Sequence, residues 1–125
     1  MLRYATGIDS RNWTLFRSCF TDDFHADYGS FGSWTSGDQM TQAIEKMHSG
    51  VAATLHRMTN FVATAAPDGA AMRSYVDVIL VGSNAGGPAH HAAGYYDDEL
   101  VKSASGWKLK RRKFTQVDLR IPTVV

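Results

Sequence analysis

The chain has 125 residues, 44% hydrophobic and 20% charged, which suits one domain over 1–125 with a single core and leaves no length for a second. Thirteen Lys and Arg against twelve Asp and Glu give a formal net charge of +1, which argues against a nucleic-acid or membrane-surface binder. A single cysteine, Cys19, excludes an intramolecular disulfide and a cysteine-based metal site; with no apolar stretch of membrane-span length and no signal-peptide pattern, a cytoplasmic setting is expected.

Leu2, Ala5 and Ile8 form a short helical stripe that Gly7 and Asp9 interrupt. A second helix is predicted over about 10–20, with Trp13, Leu15, Phe16 and Phe20 at helical spacing and Asp9 or Ser10 as its N-cap. Thr21-Asp22-Asp23 reads as the turn that ends it. Residues 24–28 alternate as a short strand, and Gly29 to Gly37 reads as a loop holding Phe31 and Trp34. Ser36 caps a third helix predicted over about 37–49, with Met40, Ala43, Ile44 and Met47 on one face, and Gly50 stops it. Segments 54–64, 70–82, 89–102 and 107–119 are long and β-rich, separated by turn material at Pro67-Asp68-Gly69, at 83–88 and at Ser103 to Gly106. Helices and one short strand, then four long strands in hairpin succession, predict an α+β fold with a mostly antiparallel sheet. A long, bent sheet wrapped on a helical layer encloses a pocket.

Read singly, the polar residues are unremarkable in role. Asp9 is a helix cap and His56 a hydrogen-bonded strand histidine. His90 and His91 are adjacent in a strand and point to opposite faces, so no metal site is expected there. His25 and His48 fall at surface or edge positions. Asp97-Asp98-Glu99 reads as a solvated strand end, able to pair with the basic strand of Lys108, Lys110, Arg111, Arg112 and Lys113. Arg112 shares strand parity with Lys108, Lys110 and Phe114, and reaches the pocket if that face turns inward; a bulge would alter this. Met40, Met47, Met58 and Met72 read as core fillers. Phe31 and Trp34 suit either a pocket lid or a loop anchor.

Four patterns run in order along nearly the whole chain. They are Tyr4 followed by Ile8-Asp9-Ser10-Arg11-Asn12-Trp13 and Phe20-Thr21-Asp22-Asp23; Asp27-Tyr28-Gly29-Ser30-Phe31; Thr54-Leu55-His56-Arg57-Met58-Thr59-Asn60; and Gly94-Tyr95-Tyr96-Asp97-Asp98-Glu99-Leu100 with Gly106-Trp107-Lys108-Leu109 and the basic strand. The ordered set resembles the scytalone dehydratase and polyketide-cyclase (SnoaL-like) branch of the nuclear-transport-factor-2-like superfamily. That resemblance implies a cone-shaped α+β barrel, a strongly curved sheet wrapped around N-terminal helices. It implies that Asp9 and His56 form an acid–base pair, as in scytalone dehydratase and hexachlorocyclohexane dehydrochlorinase. Tyr28 matches a pocket tyrosine of the dehydratase, and Arg112 a strand arginine of the dehydrochlorinase. Tyr4, Phe31, Trp34, Tyr96 and Arg112 are the expected substrate contacts. The dehydratase's second catalytic histidine has no counterpart in 75–81, and its serine and asparagine are unmatched near Gly94 to Tyr96, so scytalone itself is not the expected substrate.

The implied function is a cofactor-free, metal-free lyase that eliminates from a small hydrophobic oxygenated ring compound, such as a polyketide, steroid or terpenoid. A histidine base near working pH takes an α-proton, a carboxylate fixes its tautomer, and the Tyr28 phenol donates to the substrate oxygen. An isomerase or cyclase using the same pair, and a non-catalytic ligand-binding or assembly protein, are the alternatives. The resemblance also implies a homodimer or homotrimer.

Overall fold

In the computed structural model, which describes residues 2–82 and 88–121, the chain opens with α1 (Leu2–Asp9) and turns at Arg11, whose φ is 58°. The next helix, α2 (Trp13–Arg17), is much shorter than the sequence predicts. Its cap is neither Asp9 nor Ser10 but Asn12, whose side chain accepts from the Leu15 amide at 3.0 Å. Thr21-Asp22-Asp23 is likewise no turn. It lies inside β1 (Phe20–Asp27), which extends four residues further back than expected. Both differences have one source. Phe16, Phe20 and Phe24 repeat every fourth residue, which mimics a helix. In β1, however, an irregular register between Phe20 and His25 lets Phe20 and Phe24 stack on one face, ring centroids 4.3 Å apart.

A 3-10 turn at Gly29–Phe31 leads to β2 (Ser33–Trp34) and then α3 (Gly37–Met47). Ser36 caps α3 as predicted, accepting from the Gln39 amide, and Met40 and Ile44 are buried. Four long strands follow: β3 (Ala53–Ala66), β4 (Gly69–Val81), β5 (Ala89–Ser103) and β6 (Gly106–Arg120). The turn predicted at 83–88 falls, apart from Pro88, outside the described residues.

The six strands form one sheet in the order β2-β1-β6-β5-β4-β3, antiparallel throughout except for the β1–β6 pair. Bulges bend it. Asn60, with φ 54°, lies in an irregularity of β3, and β6 carries unpaired residues at Lys110 and Val117. Inward residues alternate, with Ser74, Val76 and Val78 buried on β4 and Gly94, Tyr96 and Asp98 on β5. Tyr4, Ile8, Phe16, Phe20, Phe24 and Met40 fill the space between sheet and helices. The opposite face stays open. Among the described residues no helix is long and apolar enough to cross a membrane.

Candidate active site

Asp9 is the last residue of α1, where the helix C-terminus presents partial negative charge and disfavours a carboxylate. Three donors compensate. The His56 ring nitrogen Nδ1 lies 2.7 Å from Oδ1, the His56 backbone N–H donates to Oδ2 at 2.8 Å, and the Thr54 hydroxyl donates to Oδ1 at 3.0 Å. Burial alone would raise the Asp9 carboxyl. The His56 ring and amide hydrogen bonds, the imidazole charge and Thr54 outweigh it and hold the carboxyl below its ordinary value. An ionised carboxylate only accepts, so Nδ1 carries a ring proton, and in the neutral imidazole Nε2 is the nitrogen that keeps its lone pair. The His56 side chain is only 8% exposed.

Arg11 fixes the two elements against each other. Its guanidinium donates to the Ile8 carbonyl at the end of α1 (2.6 Å), to the Thr54 hydroxyl (2.9 Å) and to the Val51 carbonyl ahead of β3 (3.3 Å). Neither Arg11 nor Thr54 stood out in the sequence as a site residue. Thr54 was findable, because it lies two residues before His56 and so shares its strand face. Arg11 offered no local signal, since its reach depends on a positive φ.

His56 opens onto a cavity of about 160 Å³ whose wall is mostly apolar and aromatic. Tyr4, Tyr28, Phe31, Trp34 and Tyr96 line it, together with Ile8, Ile44, Met47, Val78, Leu80, Ala92 and Phe114. Phe31 is 42% exposed at the rim, while Trp34 packs edge-on to Tyr28 at 5.7 Å. The Tyr4 ring stands edge-on to His56, centroids 6.2 Å apart. Its hydroxyl lies 2.8 Å from that of Tyr28 and 3.4 Å from that of Tyr96.

Arg112 is placed differently from the expected substrate contact. The bulge at Lys110 resets the parity of β6, so Leu109 and Arg112 both face inward and Arg112 does not share a face with Lys108 and Lys110 as expected. Its side chain is fully buried, and it is not among the residues lining the cavity. Nε and Nη2 donate to the two carboxylate oxygens of Asp98 at 2.8 and 3.0 Å, and the guanidinium carbon stacks 4.4 Å from the Tyr4 centroid and 3.6 Å from that of Tyr96. Burial disfavours the guanidinium charge, but Asp98 more than restores it. The expectation of a solvated 97–99 strand end therefore fails at Asp98, which lies on the inner face between two outward neighbours.

His48 also departs from its expected surface position. It is partly buried, lines the same cavity, and its Nδ1 lies 2.7 Å from the Ile44 carbonyl, so it donates there. Burial pushes its imidazole toward the neutral form. His90 and His91 are exposed, and among the described residues no three His, Cys, Asp or Glu side chains group as a metal site.

A larger open depression of about 900 Å³ contains neither Asp9 nor His56. Its walls mix charged side chains such as His25, Asp27, Arg73 and Lys113 with Trp34, Val62 and Met72, and the Arg112–Asp98 pair lies along it. In the smaller cavity the His56 imidazole and the Tyr4, Tyr28 and Tyr96 side chains share a mostly apolar, aromatic wall.

A model of the SnoaL-like domain family matches residues 1–113. Solved structures of the same fold include a candidate scytalone dehydratase of Novosphingobium aromaticivorans, 23% identical over 100% of this chain and 84% of that one, with TM-score 0.88. A candidate aromatic ring hydroxylase of the same organism is 26% identical over 96% and 86%, TM-score 0.85. A hexachlorocyclohexane dehydrochlorinase is 16% identical over 99% and 84%, TM-score 0.78. No curated protein matches the chain.

Proposed function

The chain belongs to the SnoaL-like domain family, and from that premise we propose that it is a lyase whose base is His56, acting on a small hydrophobic oxygenated ring compound. The observation that carries this reading is the 2.7 Å contact between Asp9 and His56 at the wall of an aromatic cavity. Similar folds that bear the names dehydratase and dehydrochlorinase, both eliminating enzymes, support a lyase over other uses of the scaffold.

In the proposed reaction a β-hydroxy ketone binds with its α-carbon facing Nε2 of His56. Nε2 takes the α-proton, and the resulting imidazolium is stabilised by the Asp9 carboxylate. Tyr28 donates to the carbonyl oxygen while charge develops there. The C–O bond to the β-hydroxyl then breaks, the imidazolium returns its proton to that oxygen, and water and a conjugated enone leave. Atoms and charge balance without an outside reactant. The same groups serve an isomerisation if the proton returns to carbon, or a cyclisation if the enolate attacks a second carbonyl. These outcomes differ in product, so product analysis separates them.

The test is a panel of aromatic and polycyclic β-hydroxy ketones followed by enone absorbance. Wild-type protein should turn over at least one class, and His56→Ala should lose about 10²–10⁴-fold, the usual worth of a positioned general base. A folded His56→Ala protein with the wild-type rate on that compound would remove His56 from the chemistry.

A further inference from the structure

The proposed elimination makes no use of His48, yet that side chain borders the same cavity as His56 from a different element. It is the C-cap of α3, and its Nδ1–H donates to the Ile44 carbonyl at 2.7 Å, across its own helix end. A carbonyl oxygen only accepts, so Nδ1 holds the proton, and in the neutral ring Nε2 is an acceptor. Burial, and after it the charges of Arg11 and His56, favour that neutral ring against the pull of the Ile44 carbonyl and Asp9.

Nε2 of His48 is buried and has no hydrogen-bond partner among the described residues. Buried polar atoms are paired in folded proteins, because an unpaired one gives up water for nothing in return. The ring is not free to swing toward another donor, since Nδ1 is tied to α3 and the Trp13 indole packs against it, ring centroids 6.0 Å apart. A fixed acceptor on a ring that lines a cavity suits a donor carried by a ligand. The cavity has a volume of about 160 Å³, close to the roughly 150 Å³ of an apolar cavity that takes one benzene ring. In so small a space, a ring held against His56 also lies beside His48.

We propose that His48 is a specificity-determining residue whose Nε2 accepts a hydrogen bond from a hydroxyl on the enclosed ring, so that the protein selects hydroxylated rings over rings of the same size without that donor. The ligand is then polar at two ends, with its ketone side at His56 and its ring hydroxyl at His48. The inference deepens the proposed elimination and rests on it for which end of the ring faces His56, while the selection itself is a matter of binding. An acceptor left unpaired by the wrong ligand rejects it more strongly than an apolar wall does, because one methyl group more or less changes apolar burial only slightly.

The probes are 4-hydroxyacetophenone and 4-methylacetophenone, which match in size and differ in the donor. Calorimetric titration of wild-type protein should give a Kd at least about tenfold lower for the hydroxyl compound. His48→Phe keeps a flat ring without an acceptor and should bring the ratio of the two Kd values to about one. A second measurement needs no variant. With the histidine nitrogens isotope-labelled, the magnetic resonance of His48 Nε2 should move when the hydroxyl compound binds and far less when the methyl compound does. His56→Ala should keep the preference. Failure of the elimination reading then appears as absent turnover of any ketone with the preference intact. Equal binding of the two acetophenones by wild-type protein, a His48 Nε2 resonance that responds alike to both, or a folded His48→Phe protein that keeps the preference would overturn selection by His48, whatever the turnover.

Discussion

Asp9 holds His56 by its ring and by its backbone amide, so one side chain sets both the tautomer of the base and the seating of β3 on α1. Asp9→Asn keeps the shape but replaces one acceptor oxygen with a donor. Its expected effect is a fall in kcat of up to about 10⁴-fold, as when an orienting carboxylate is lost from a histidine base. Stability should fall by about 1–3 kcal/mol, the cost of leaving a buried donor unpaired, read from urea unfolding. The pH dependence has a definite sign. Asp9 is held below its ordinary value when folded, so its contribution is full above the unfolded value of about 3.9 and is lost as pH falls through the lower folded value. In Asp9→Asn that part of the acid loss should vanish from urea midpoints measured across this range; an unchanged acid limb would show that Asp9 is not the group responsible. Thr54→Val tests the support beneath the pair. It removes the hydroxyl between Asp9 and Arg11, and about 1 kcal/mol should go with it. The pair itself was legible only through the resemblance. Asp9 alone reads as a cap, a role that in fact belongs to Asn12.

At the scale of elements, the sequence was clear where a pattern has one meaning and misleading where it has two. The four long strands and the Ser36-capped helix could be read directly, because alternation and turn residues bound them unambiguously. The Phe16, Phe20, Phe24 spacing reads as one helix, yet only Phe16 lies in a helix, α2, while Phe20 and Phe24 pack from the irregular strand β1. The bulge at Lys110 left no trace that could be read, since nothing in Lys108 to Lys113 marks an extra residue, yet it decides where Arg112 points. Gly7 is a sharper local case. A Cβ there would lie 2.8 Å from the Phe16 amide nitrogen and 2.9 Å from its Cα, both backbone atoms that cannot swing aside. Gly7→Ala should therefore force α1 off α2 and cost about 1–3 kcal/mol, against the usual gain of alanine in a helix. Because α1 carries both Tyr4 and Asp9, turnover should fall with stability. A thermal midpoint at or above wild type would contradict the close approach.

The sheet has one face packed against the helices and an opposite face that no element covers among the described residues. Leu55 (55% exposed), Tyr75 (50%) and Val117 (71%) stand on the open side, where Tyr75 and Val117 border a groove with Tyr95 and Arg73. The ion pairs beside them, Arg57–Asp77 and Arg73–Asp97, are solvent-exposed and screened by water, so they do not account for keeping so much apolar surface in water. Burying one such large side chain is worth about 1.5–3 kcal/mol, and several on one face favour association. We propose that this face meets a second copy of the chain, as a homodimer or homotrimer. Both signs of charge lie on the face, so two copies can match acidic to basic positions without net repulsion. Sedimentation equilibrium should then give two or three times the 13.8 kDa chain mass, and Tyr75→Glu with Val117→Lys should return the single-chain mass while His56 keeps its contact with Asp9. A wild-type protein that sediments as one chain across micromolar concentrations would leave the open face without this partner.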